Sequence, residues 1–296
     1  MSLDAELGAA AGSPVAASRR IAGGSINEAY AVDFADGRRA FVKTRPGAPA
    51  GEYAAEAAAL AWLGEPGAVR VPAVIACSER FLALEWVEPG RLDAAGEEEL
   101  GRGLAGLHAA GAPAFGRAAG DAPARDGAVP PAGDLGIGPL TLDATPADAW
   151  PGFYAERLVR PLIAPARDRG ALSARGAEAV GRTCDRIAGL AGPGEPPARL
   201  HGDLWSGNVH AAADGRAWLV DPVAYGGHRE VDLAMLQLFG GPSRRLLAAY
   251  GEAAPLADGH EQRVELWQLF PLMVHAVLFG GGYGGSAEAV ARRYVG

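Results

Sequence analysis

Leu200-His201-Gly202-Asp203-Leu204-Trp205-Ser206-Gly207-Asn208-Val209-His210 decides how this 296-residue chain is read. Four residues separate Asp203 from Asn208, and thirteen positions past Asn208 the apolar run Trp218-Leu219-Val220 ends at Asp221. A loop carboxylate can take a proton from a hydroxyl, while an amide oxygen and a second carboxylate offer the hard oxygens that a divalent cation prefers. Ala213-Asp214-Gly215 predicts a tight turn that pairs 209–210 with 217–220 and brings Asp221 beside the loop. A polar loop between two buried strands is the plain alternative, so the reading depends on partners elsewhere in the chain.

The first partner is compositional. Lys43 is the only lysine among 27 basic residues. A GC-rich genome would favour arginine throughout, and a lysine that survives that bias belongs where a planar guanidinium cannot replace a compact ammonium. Lys43 ends the second of two strands, 30–34 and 39–43, joined at Asp36-Gly37, a strong hairpin signal. Gly23-Gly24-Ser25 precede the pair. Alone they are a weak phosphate-loop signal, because the spacing is not G-x-G-x-x-G. Their place ahead of the strand that carries the sole lysine makes Gly23, Gly24 and Ser25 candidates for covering phosphates. A helix follows, with Glu52, Glu56, Leu60 and Leu63 at helical spacing. Glu56 is the expected partner of Lys43 and Glu52, one turn earlier, the alternative; a solvated surface pair is the commoner fate of any Lys and Glu.

Two further strands, 71–75 and 81–87, end at Glu88-Pro89-Gly90, a break that reads as a hinge. Backbone groups at Glu85 and Val87 would there meet the edge of a base. Beyond it Asp93 caps a helix through Leu100, Leu104 and Leu107 to His108, which reads as a packed histidine. Residues 112–134 form a long loop, functional or mobile. Helices are expected over 150–169, with a break at Pro161, and over 173–190. Asp232 is expected to cap the helix 233–239, and 261–279 to be helical lobe core. Residues 1–20 suggest a poorly ordered start or a short helix.

A net charge of −8 and a pI near 5.3 argue against a nucleic-acid surface. Cys77 and Cys184 lack metal-ligand spacing and suit free thiols in a reducing cytoplasm. The start, with Asp4 and Glu6, lacks the pattern of a secretory leader. The longest apolar run, 269–279, contains Pro271 and His275 and is too short to span a bilayer.

Together, a glycine loop, Lys43, Glu56, a hinge, then Asp203, Asn208 and Asp221 supply what phosphoryl transfer needs: held phosphates, a held metal ion and an oriented hydroxyl. His-x-Asp-x4-Asn is also the catalytic-loop spacing of kinases. The stretch 200–209 resembles the hallmark of the fructosamine (ketosamine-3-) kinase family, of the protein-kinase-like superfamily, beside aminoglycoside and choline kinases. Trp205-Ser206 is its discriminating pair. Gly23 to Asn27, Phe41 to Lys43, Asp134 to Gly138 and Glu230 to Met235 agree with it. The resemblance implies an α+β, bilobal fold: a small antiparallel-sheet lobe over 1–87 and a larger, mainly helical lobe over 88–296. It implies an ATP- and Mg2+-dependent kinase of the 3-hydroxyl of ketosamines, free or protein-bound, leading to deglycation. Asp203 would be the base, Asn208 and Asp221 the metal ligands, and Trp205 the wall of the sugar site. His201 and Asp232 would brace the loop. No nucleic-acid or membrane partner is expected, and a monomer or weak dimer is. The competing readings are an aminoglycoside- or choline-type phosphotransferase and a nucleotide-binding regulator without turnover.

Overall fold

A computed structural model describes residues 2–21, 27–116 and 133–295. Gly23, Gly24 and Ser25 lie outside the described residues, as does most of the 112–134 loop. The chain opens with helix α1 (Leu3–Ala11) and strand β1 (Val15–Ile21), followed by β2 (Glu28–Phe34), β3 (Arg39–Thr44), helix α2 (Glu52–Gly64), β4 (Val74–Ser78) and β5 (Phe81–Glu85). The strands form one antiparallel sheet in the order β1-β2-β3-β5-β4. Gly37 turns the β2–β3 hairpin at φ 87°, a conformation open to glycine, and the Asp36 carboxylate accepts the Arg38 N–H.

Alternation along β3 divides its side chains between two faces. Ala40 and Val42 join Val32, Phe34 and Leu7 of α1 in one apolar cluster, whereas Phe41 packs with Leu82, Leu84 and α2 residues Tyr53 and Leu60 on the other. Lys43, two positions after Phe41, is thereby aimed at α2.

Two expectations of the sheet change. The short helix expected within 1–20 is α1, but an edge strand that was not expected, β1, follows it. β1 is almost wholly exposed, so it carries no apolar alternation from which a strand could be read. β4 starts at Val74, after Pro72, which cannot donate to a ladder.

After Glu88-Pro89-Gly90 come α3 (Ala94–Ala109), capped by Asp93, and the hairpin β6 (Asp134–Ile137) and β7 (Leu140–Asp143). The expected helix over 150–169 is segmented. α4 (Trp150–Phe153) runs into a π-helical turn (Tyr154–Val159) and a 3-10 turn (Arg160–Leu162) before α5 (Ile163–Asp168). Pro161 lacks an N–H, and the helical ladder widens ahead of it. Then follow α6 (Ala174–Leu190), β8 (Ala198–Leu200), β9 (Val209–Ala211), β10 (Ala217–Leu219) and β11 (Tyr225–Gly227), with β9 paired to β10 and β8 to β11. The β8–β11 pair was not expected, since three residues rich in glycine give no strand signal. Helices α7 (Glu230–Leu238), α8 (Arg244–Ala253), α9 (His260–Phe279) and α10 (Tyr283–Val295) complete the large lobe around a core that includes Trp150, Tyr154 and Trp267.

Candidate active site

Lys43 is 5% exposed, and its Nζ pairs with Glu56 and lies 2.8 Å from Asp221 Oδ1. The choice between the two glutamates falls to Glu56, because Glu52 pairs with Arg45. Burial alone would lower the ammonium's pKa, but Glu56 and Asp221 outweigh it and hold Lys43 charged. Asp221 has φ 54°, the one non-glycine in the left-handed region among the described residues. Such a backbone costs about 1–3 kcal/mol and persists where the surroundings enforce it.

The loop between β8 and β9 is held from three sides. Asp232 accepts the backbone N–H groups of His201 at 2.7 Å and Gly202 at 3.0 Å, with His108 Nε2 at 3.3 Å. It is not the cap of α7: the helix begins at Glu230 with Arg229 in the cap position, and Asp232 points from its first turn toward the loop. Burial pushes the Asp232 carboxyl up, but the His108 bond and the His201 backbone bond hold it below the usual range. His201 is buried. Its Nδ1 accepts the Asp203 N–H at 3.3 Å, which leaves Nε2–H to donate to the Val220 carbonyl at 3.0 Å and links the loop to the residue before Asp221. Burial lowers its pKa, consistent with a neutral ring. Gly202 has φ 81°, and a Cβ there would lie 1.9 Å from the Val223 carbonyl oxygen, so glycine is required.

Asp203 and Asn208 meet directly: Asn208 Nδ2 donates to the Asp203 carbonyl at 2.8 Å and to Oδ2 at 3.0 Å. Burial pushes the Asp203 carboxyl up to about 6, against the pull of that Asn208 bond. Trp205 folds across Gly207, where a Cβ would come 2.2 Å from the indole, and meets Phe239 edge-on at 6.0 Å. It is 37% exposed.

Of these groups, Lys43, Gly202, Asp203, Trp205, Asn208 and Asp221 line one cleft of about 430 Å³. Met235, Phe270, Val274, Leu278 and Phe279 add apolar wall to the same cleft. Helix α9 was expected as lobe core, and one face is. The face bearing Pro271, Val274 and His275 forms the cleft wall, which the nearly uniform apolarity of the helix conceals. Glu85 and Val87 do not line this cleft. The Glu85 N–H donates to Ala73, and the Val87 carbonyl receives His210 Nε2 at 3.2 Å.

The oxygens fit a magnesium ion. Both Nδ2 bonds of Asn208 fix its amide, which leaves Oδ1 as the free ligand atom, and Lys43 engages only Oδ1 of Asp221. One carboxylate and one amide oxygen, with phosphate and water completing an octahedron, is a usual Mg2+ environment.

Sheet lobe, helical lobe, buried Lys–Glu pair and Asp–Asn loop define a bilobal, kinase-like phosphotransferase that uses ATP. The fructosamine kinase family profile matches residues 2–295, and the chain belongs to that family. A Thermus thermophilus protein named as a probable ketoamine kinase is 37% identical over 264 residues, 89% of this chain and 88% of its own. A crystal structure of a Thermobifida fusca protein described as a fructosamine-3-kinase superposes with a TM-score of 0.89 at 42% identity, over 99% of this chain and 98% of that one. The fold alone is shared with a macrolide 2'-phosphotransferase of Brachybacterium faecium, with a TM-score of 0.63 at 18% identity, over 98% of each chain. The chain is thus an ATP-dependent phosphotransferase with an alcohol group as acceptor. Among the described residues no helix is long and apolar enough to cross a membrane.

Proposed function

We propose that the protein phosphorylates the 3-hydroxyl of ketosamines, the sugar adducts of amines, and so starts their removal. Asp203 takes the hydroxyl proton as the oxygen attacks the γ-phosphorus of ATP, and ADP leaves. Lys43, held by Glu56, engages the phosphates, and Gly23, Gly24 and Ser25 cover them. The base would lie outside the cleft lined by Lys43 and Asp203, against backbone of Glu85 and Val87 other than the Glu85 N–H and the Val87 carbonyl already engaged. Asn208 and Asp221 would hold Mg2+, which would supply positive charge against the phosphates. His201 and Asp232 keep Asp203 in place. Residues 1–87 form the nucleotide lobe and 88–296 the acceptor lobe, and a reducing cytoplasm suits the two free thiols.

The lining of the cleft carries the proposal. The cleft's carboxylates, Glu52, Asp203 and Asp221, all lie outside α9, while the α9 wall and Trp205 offer apolar and aromatic surface. A polycationic aminoglycoside would find no acidic partner on that wall, whereas the apolar face of a ketose suits an indole. An ATP-consumption screen over ribulosamine, erythrulosamine, fructosamine and aminoglycoside substrates tests it. Turnover with a ketosamine is expected. Silence with all of them, alongside a response to another alcohol, would overturn the assignment.

A further inference from the structure

Arg199 is outside the reacting groups yet ties α2, the helix that carries Glu56, to the strand that leads to Asp203. It belongs to β8, four positions before Asp203. Its Nη1 donates to the Trp62 carbonyl at 2.6 Å and to Glu65 Oε2 at 2.8 Å, its Nε to the Gly111 carbonyl at 3.3 Å, and its guanidinium lies 4.5 Å from the Trp62 ring centroid. The Arg199 side chain is only 12% exposed. Trp62 is in the last turn of α2, where carbonyls lack partners within the helix and a cation is favoured by the helix dipole. Gly111 follows the end of α3 with φ 73°, so one guanidinium closes the ends of two helices.

The same helix α2 carries Glu56, the partner of Lys43. Its Ala59 and Leu63 are buried in one apolar cluster with Leu204 of the catalytic loop, Leu219 of β10 and Leu233 of α7. Helix α2 is therefore fastened to the elements that carry Asp203 and Asp221 as well as to its own sheet. In kinases the position of this helix decides whether the Lys–Glu pair is assembled.

We propose that Arg199 is a positioning residue: it clamps the C-terminal end of α2 to the strand that leads into the catalytic loop, so that Lys43–Glu56 is set whenever the protein is folded. The clamp rests on Lys43 as the nucleotide lysine, and it acts through Glu56 rather than on a substrate.

The test is ATP affinity, measured by titration with a fluorescent nucleotide, and the KM values for ATP and acceptor. For Arg199→Ala, ATP affinity is expected to fall within about two- to thirtyfold, the range of measured coupling through packed elements, with the acceptor KM changed less than twofold. Arg199→Lys, which keeps the charge but not the fork, falls between. Glu65→Gln, which removes one partner and leaves the fold intact, weakens ATP binding about twofold. In a double-mutant cycle with Glu56→Gln, the Arg199→Ala effect is expected to shrink to near onefold. Wild-type ATP affinity in Arg199→Ala, with only a lowered Tm, overturns the clamp; so does a full, multiplicative loss in the Glu56→Gln background. Should Arg199→Ala not fold, unchanged ATP affinity in both milder variants overturns it equally. A wild-type protein that binds no ATP would instead overturn the nucleotide site itself.

Discussion

Asp203 occupies a wall of protein that lifts its carboxyl to about 6, close to the pH at which a base must collect a proton. Asp203→Asn keeps the shape and the contact with Asn208 but cannot take the proton. Turnover is expected to fall by about 10² to 10⁴ with ATP binding near wild type, as steady-state rates and nucleotide titration would show. Lys43→Arg tests the one departure from this chain's arginine habit. A planar fork does not fit the compact space between Glu56 and Asp221, and kcat/KM is expected to drop at least about tenfold, or 1.4 kcal/mol. The grouping of Lys43, Asp203, Asn208 and Asp221 was legible in the sequence, two by spacing, one by its place at the end of an apolar strand and one by rarity. The left-handed backbone of Asp221 was not, since aspartate gives no outward sign of it. Nor was the role of Gly207 as the floor beneath Trp205, which depends on an indole folding back two residues.

Helices hold this site through single polar side chains. Pro271 sits inside α9 and cannot donate to the Trp267 carbonyl one turn earlier; the Tyr154 hydroxyl lies 3.2 Å from that oxygen, 2.8 Å from the Leu266 carbonyl and 3.1 Å from the Phe270 N–H. Tyr154→Phe leaves buried groups without partners and is expected to cost about 1–3 kcal/mol in denaturant unfolding. Asp232 joins α7, α3 and the catalytic loop. Its folded-state pKa is depressed, so the stability it contributes is full above the unfolded carboxylate value, about 4, and is lost as pH falls through the folded one. Asp232→Asn is expected to cost about 3–5 kcal/mol at neutral pH and to flatten the acid loss, read from unfolding curves between about pH 2 and 7. At this scale the sequence was an uneven guide. Asp-Gly turns and alternating apolar residues exposed the hairpins, whereas exposed β1 and the three-residue β11 left no pattern. α9 was found as a helix, but a side chain facing a cleft and one facing the core look alike when both are apolar.

Across the whole molecule, the order of the parts was the most legible feature, because the sheet with Lys43 and the loop with Asp203 follow one another along the chain as a bilobal, kinase-like fold arranges them. What could not be read was how firmly the lobes interlock. The cluster joining Ala59 and Leu63 to Leu204 and Leu219 brings together residues 141 and more positions apart, and only the folded chain reveals it. Burial lifts both thiols to about 11, so native Cys77 and Cys184 are expected to resist iodoacetamide at pH 8 and to react on unfolding, as peptide mass mapping would record. The single lysine has a parallel consequence. Lys43 is buried and ion-paired, so amine-directed esters or ribose should modify it in unfolded but scarcely in native protein. A catalyst proposed to strip sugars from amines thus exposes no lysine amine of its own to the same sugars, and is spared the damage it would repair.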